Sequence, residues 1–183
     1  IQPDYHFTGS DISAANEARA MELGLVDECL PFDQAIARAD IILLAIPVDA
    51  ITAILPDLLN KVTTGQLVID FGSTKANIAQ CVANHPNRSQ FLAAHPMAGT
   101  EHTGPDAAFS GLFSNKVLIL CDTDQTDTAL LQKAQAIFEL LDFQSILMDS
   151  EAHDKHIAYV SHLSHVSSFM LGLTVLDIEK DEA

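Results

Sequence analysis

Ile41-Ile42-Leu43-Leu44-Ala45-Ile46-Pro47 is the stretch that decides the fold, an aliphatic run without a charge, closed by a proline. An apolar run of this length ending at a helix breaker reads as a strand buried on both faces of a parallel sheet. Helical spacing resumes at once over Val48 to Lys61. Upstream, Tyr5 to Gly9 reads as a short strand and Ser13 to Leu23 as a helix closed by Gly24. Downstream, strands over Gln66–Phe71, Phe91–His95, Lys116–Cys121 and Phe143–Met148 alternate with helices over Thr74–Ala83 and Thr126–Leu141. Such alternation predicts an α/β fold built on a doubly wound parallel sheet.

The alternation stops after Asp149. Ser150 to Asp177 is one helix-compatible stretch, with Ser150 and Glu151 placed as cap and first turn. Residues 1–149 therefore read as a Rossmann-type dinucleotide-binding domain, and residues 150–183 as the first helix of a helical domain. A sheet of this type starts with a strand and a glycine-rich turn, whereas this sequence opens on what would be the second strand. The chain thus reads as a fragment, lacking that first strand and most of the helical domain.

The 183 residues carry 9 Lys and Arg against 25 Asp and Glu, a net charge of −16. A surface this acidic repels phosphate backbones and anionic lipid, which excludes nucleic acid or membrane binding by a broad basic patch. No apolar run approaches the ~20 residues of a spanning helix. Three scattered cysteines, Cys29, Cys81 and Cys121, make no disulfide framework, and the start has no signal-peptide pattern, so a cytoplasmic location is expected.

Three strand ends fall on one rim of such a sheet. Asp11, after Gly9-Ser10, stands where a ribose 2′-hydroxyl would be bound, which favours NAD over NADP; capping the next helix is its alternative role. Asp70-Phe71-Gly72-Ser73-Thr74-Lys75 joins a buried strand to a helix. There Gly72 lets a ligand near the backbone, Ser73 offers a hydroxyl, the helix N-terminus favours an anion, and Lys75 adds positive charge; a capped glycine turn with a solvated lysine is the alternative. His95 closes the next strand and opens a long Gly- and Pro-containing segment reaching Asn115. An unperturbed histidine titrates at about pH 6.5, and Glu101 could orient it or gate the pocket.

His153, His156, His162 and His165 invite a metal hypothesis. At about 100° per residue, with His153 at zero, the others fall near 300°, 180° and 120°, directions too spread to converge on one ion from an unbroken helix. No metal site is expected, and some of these histidines should instead face a cleft between the two domains.

In order and spacing, Asp70-x-Gly72-Ser73-x-Lys75, His95-Pro96-x-Ala98-Gly99-x-Glu101-x-x-Gly104, Leu112-Phe113 and Ser161-His162-Leu163-Ser164-His165 resemble the prephenate dehydrogenase family, the prephenate and arogenate dehydrogenases of tyrosine biosynthesis. The resemblance implies oxidative decarboxylation of prephenate to 4-hydroxyphenylpyruvate with hydride transfer to NAD, on a Rossmann domain joined to a helical dimerisation domain. It implies that His95 takes the proton of the ring 4-hydroxyl and that Ser73 holds that hydroxyl and the nicotinamide edge. Glu101 would belong to an ionic network at the cleft, with His153 and His165 lining the substrate side. A homodimer is expected.

Three departures accompany it. The glycine-rich turn and the downstream arginine that binds substrate carboxylate do not occur in these residues, so the isolated segment is expected to turn over nothing. Ser164 replaces the usual proline, which predicts a straighter helix there. Arogenate dehydrogenase, another NAD-dependent β-hydroxyacid-type dehydrogenase, and a non-catalytic ligand-binding relative are the alternatives. A β-hydroxyacid dehydrogenase would place a catalytic lysine on the first interdomain helix, where this chain has a histidine-rich stretch.

Overall fold

The computed structural model describes residues 5–99 and 103–181. Its elements in chain order are β1 (Thr8–Gly9), α1 (Ala14–Glu22), β2 (Glu28–Cys29), α2 (Phe32–Arg38), β3 (Ile41–Leu44), α3 (Val48–Lys61), β4 (Leu67–Asp70), α4 (Ala76–Cys81), β5 (Phe91–Pro96), β6 (Val117–Cys121), α5 (Thr128–Leu140), β7 (Gln144–Met148), α6 (Ser150–Ile157), a π turn (Ala158–His162) and α7 (Leu163–Asp181). β1 and β2 form a parallel pair, and β3 to β7 form a five-stranded sheet in sequence order. This is the expected α/β class of Rossmann-like architecture.

In the five-stranded sheet two details differ from the sequence reading. β5 and β6 pair antiparallel, with His95 opposite Ile119 and Pro96 opposite Leu118. β3 is not buried on both faces, because it is the edge of the five-stranded sheet and Leu43 is 52% exposed. The strands with apolar cover on both sides are β4, β5 and β6 in the sheet interior.

Side chains alternate across those strands. Leu67 and Ile69 of β4, Leu92 and Ala94 of β5, and Leu118 and Leu120 of β6 pack with Leu130, Ala134 and Phe138 of α5. Val68, Phe91, Ala93, Ile119 and Cys121 face the opposite layer, with Ile51, Leu55, Leu58, Ile78 and Ile157. Period two then assigns Asp70 and His95 to this second layer, the side of α3, α4 and α6.

Strand direction brings α6 to them. β7 runs parallel to β6, so the chain leaves β7 at the end opposite the carboxyl rim of β3, β4 and β5. Asp149 caps α6 there by accepting from Ala152 N at 2.7 Å, and Asp122 accepts from Ser150 N at 3.0 Å. The cap is thus one residue earlier than the sequence suggests. From this end α6 runs back across α4 and β6, and Ile157 is buried in the same layer as Ile51 and Ile78.

Candidate active site

β4 and β5 are parallel neighbours with Asp70 paired to Ala93, so His95 emerges one side-chain repeat beyond Asp70 on the same face. After β4 the backbone doubles back on itself. Gly72 N donates to Asp70 Oδ1 at 2.9 Å, and a Cβ at Gly72 would lie 2.9 Å from Ile78 Cδ1 and 3.1 Å from Asp70 Oδ1. A side chain here would have to displace Ile78.

Lys75 follows, and its side chain turns inward. The ammonium pairs with Asp70 and donates to Ala94 O at 2.9 Å, with both partners of the ion pair at 0% side-chain exposure. Burial pushes the Asp70 carboxyl up and the Lys75 ammonium down, each opposed by the attraction of the other. The expectation that Lys75 offers its charge to a ligand is therefore corrected. Its side chain is spent on joining β4, β5 and the start of α4.

The N-terminus of α4 is also taken. Asp154 of α6 accepts from Lys75 N at 2.7 Å and from Ala76 N at 2.9 Å, so the anion at this helix end is an internal carboxylate. Asp154 also contacts His153 Nδ1 at 2.7 Å. Burial alone would raise its carboxyl, but the hydrogen bonds from His153, Lys75 N and Ala76 N outweigh it and hold the group below the usual carboxylate range.

His153 does not line a cleft, which corrects the expectation for it. It is 0% exposed, seated between Asp154 and His95, with Nε2 2.8 Å from His95 Nδ1 and the two rings in edge-on contact at a centroid distance of 5.1 Å. Burial pushes its imidazole down, against the raising influence of Asp154. His95 itself is half-buried at the carboxyl end of β5, and Ser73 is exposed at the adjacent end of β4. These two sequence-predicted residues thus share one rim, with His153 behind His95.

Asp11 is exposed at the end of β1. Its Oδ1 accepts from Ser13 N at 2.7 Å and from Asn16 Nδ2 at 3.3 Å, while Ser13 is the residue that caps α1. With Gly9, Ser10, Asn16, Cys29 and Pro105 it lines a shallow depression. The Pro105–Ala107 turn is tied to α1 by Arg19, whose Nε and Nη2 donate to Asp106 Oδ1 at 2.8 and 2.6 Å. Glu101 lies outside the described residues. His165 falls on α7, and its side chain also lies outside them. Ahead of Ser164 the helix carries a π turn at Ala158–His162, formed without a proline.

Sequence reasoning overlooked Asp154. Its signal was an acid directly after His153, but its value depends on Lys75 and Ala76, 79 and 78 positions away.

Residues 2–147 match the family described as prephenate dehydrogenase, nucleotide-binding domain. The chain belongs to this family. It is 32% identical over 172 residues to a prephenate dehydrogenase of Lactococcus lactis, covering 90% of this chain and 45% of that protein. Among solved structures, prephenate dehydrogenase from Aquifex aeolicus superposes with a TM-score of 0.87 at 28% identity, over 96% of this chain and 63% of that one. The Aquifex enzyme in complex with hydroxyphenyl propionate and NAD+ gives 0.82 at 26%, over 95% and 61%. Synechocystis arogenate dehydrogenase gives 0.81 at 28%, over 97% and 66%. The chain spans about half the length of the curated relatives it matches. Asp70, Gly72, Ser73, Lys75 and His95 lie inside the family's nucleotide-binding domain, whereas His153 and Asp154 follow it.

Proposed function

We propose that this chain carries the hydride-transfer site of an NAD-dependent enzyme that oxidatively decarboxylates prephenate to 4-hydroxyphenylpyruvate, with His95 as proton acceptor. One observation carries the reading. His95 stands at a strand's carboxyl end, where ligands bind in open α/β sheets, with a buried imidazole behind it and Ser73 on the same rim. Family membership and the NAD+ complex of the Aquifex relative support it.

Asp11 fits a dinucleotide, since its exposed carboxylate borders a depression at the end of β1 and can accept from a ribose hydroxyl. NAD when bound supplies the hydride acceptor. His95 takes the proton of the substrate's 4-hydroxyl as hydride leaves that carbon. Loss of CO2 sends its bonding electrons through the ring to that oxygen, and His95 returns the proton as the ring becomes aromatic. Ser73 holds the same hydroxyl and the nicotinamide edge. Glu101 and His165 complete the substrate side.

Arogenate is the second reading, favoured by the likeness to the Synechocystis enzyme. A second copy of the chain would cover the apolar side chains that α7 exposes, Val166, Phe169, Met170 and Leu173, which supports a homodimer. Among the described residues no helix is long and apolar enough to cross a membrane, and we place the enzyme in the cytoplasm.

The test is nicotinamide reduction by the full-length protein, with prephenate and arogenate each offered against NAD and NADP. Turnover of prephenate with NAD is expected, and His95→Asn should lower kcat by roughly 10²–10⁴-fold with cofactor affinity kept. No turnover with any of the four pairs, or full activity of His95→Asn, would overturn the reading.

A further inference from the structure

We propose that Asp154 and His153 act together as positioning residues that fix the tautomer of His95, so that its Nδ1 carries the proton and its Nε2 is the basic nitrogen. The inference rests on the reading of His95 as proton acceptor.

Donor counting carries the argument from one end of the chain of contacts to the other. An ionised carboxylate only accepts, and Asp154 is held ionised by two backbone N–H groups at 2.7 and 2.9 Å. Its 2.7 Å contact with His153 Nδ1 therefore requires the hydrogen to be on that nitrogen. A neutral imidazole with a proton on Nδ1 has its acceptor at Nε2. That atom lies 2.8 Å from His95 Nδ1, so His95 donates from Nδ1 and its Nε2 is the basic nitrogen.

Burial keeps His153 in the required neutral form. At 0% exposure it pays to hold no charge of its own, and Lys75 and His156 nearby push in the same direction. Asp154 stays ionised throughout and no proton passes along the row. Its service is to make a single tautomer of His95 the stable one, and to hold the ring still against the end of β5.

This support is anchored more firmly than the group it serves. Asp154 bonds to the start of α4, and α4 is fixed to the sheet through Lys75, Asp70 and Ala94 O. His95 thus takes its aim from α6 and from the β4–α4 turn as well as from its own strand.

The decisive experiment uses the full-length enzyme with ¹⁵N-labelled histidine and compares Asp154→Asn, Asp154→Ala, His153→Gln and His153→Leu with the parent. Imidazole nitrogen resonances of the parent should place the His95 proton on Nδ1; a proton on Nε2 would overturn the proposal whatever the activities. A glutamine at position 153 can still donate to Asp154 and accept from His95, whereas a leucine can do neither. His153→Gln should therefore stay within about tenfold of parental kcat while His153→Leu loses roughly 10²–10³-fold, each with KM little changed. Asp154→Asn keeps an oxygen that can accept from Lys75 N and His153 Nδ1 and, where it folds, should stay within about tenfold of parental kcat, whereas Asp154→Ala, which leaves His153 Nδ1 without an acceptor, should lose kcat as His153→Leu does. Equal kcat for the glutamine and leucine variants would sink the support role. If His95→Asn retains activity, the reading of His95 fails instead, and the two failures are distinguishable.

Discussion

The ammonium of Lys75 sits on the carboxylate of Asp70 in the interior of the protein, both side chains shut off from solvent. A lysine beside a glycine turn at a strand end is easily taken for an anion hook. Here it is a tie between two strands and a helix start.

Removing the cation should therefore unfold the protein before it affects ligand binding. Lys75→Met leaves Asp70 buried without its partner, at a cost of about 3–5 kcal/mol. Asp70→Asn combined with Lys75→Met should recover part of that loss, because no uncompensated charge remains. Urea titration of the variants checks this, and a Lys75→Met protein of full stability with weakened substrate binding would return the residue to ligand binding.

Gly72→Ala meets Ile78, Asp70 and Val48 at 2.9, 3.1 and 3.2 Å, and Ile78 is itself fully buried. The added methyl should cost about 1–3 kcal/mol through overpacking, measured as a lowered melting temperature. An unchanged melting temperature would mean that the turn relaxes without strain.

Stability should fall on mild acidification. The buried imidazole of His153 has its folded pKa below the ordinary value, so between that pKa and about 6.5 the unfolded chain binds a proton that the native one refuses. The contribution of this group is complete above about pH 6.5 and shrinks as the pH drops below it. Urea titrations at about pH 7.5 and about pH 5.5 should show a smaller acid-side loss in His153→Gln than in the parent. Identical losses would mean that His153 does not carry the dependence.

Asp11→Ser removes the carboxylate from the depression at the end of β1. In the full-length enzyme the ratio of kcat/KM for NADP to that for NAD should rise roughly tenfold, the equivalent of about 1.4 kcal/mol. A ratio that does not move would leave Asp11 with its bonds to Ser13 and Asn16 alone.

α3 was legible in the sequence over its whole length, Val48–Lys61, since Pro47 opens it and its apolar residues recur at helical spacing. β2 and α2 were not. Glu28–Cys29 is too short to show a period of two, and Phe32–Arg38 buries only Ile36. The direction of β6 was equally hidden, because the apolar run Val117–Cys121 is the same read either way. The positions of His95 and Ser73 at the ends of β5 and β4 were legible because strand ends are predictable. The fates of Lys75 and His153 depended on which face of the sheet α6 covers, and Asp154 gains its meaning only from residues distant in sequence.

The π turn at Ala158–His162 stores one residue more than an α turn of the same sweep would need. Deleting a single residue there would restore regular α spacing and leave Leu163 and all that follows facing as before, because the extra residue is absorbed inside the turn. The same deletion made further along, within α7, would swing everything after it by about 100° around the axis. The π segment is therefore the place in this arm where a change of one residue in length should be tolerated.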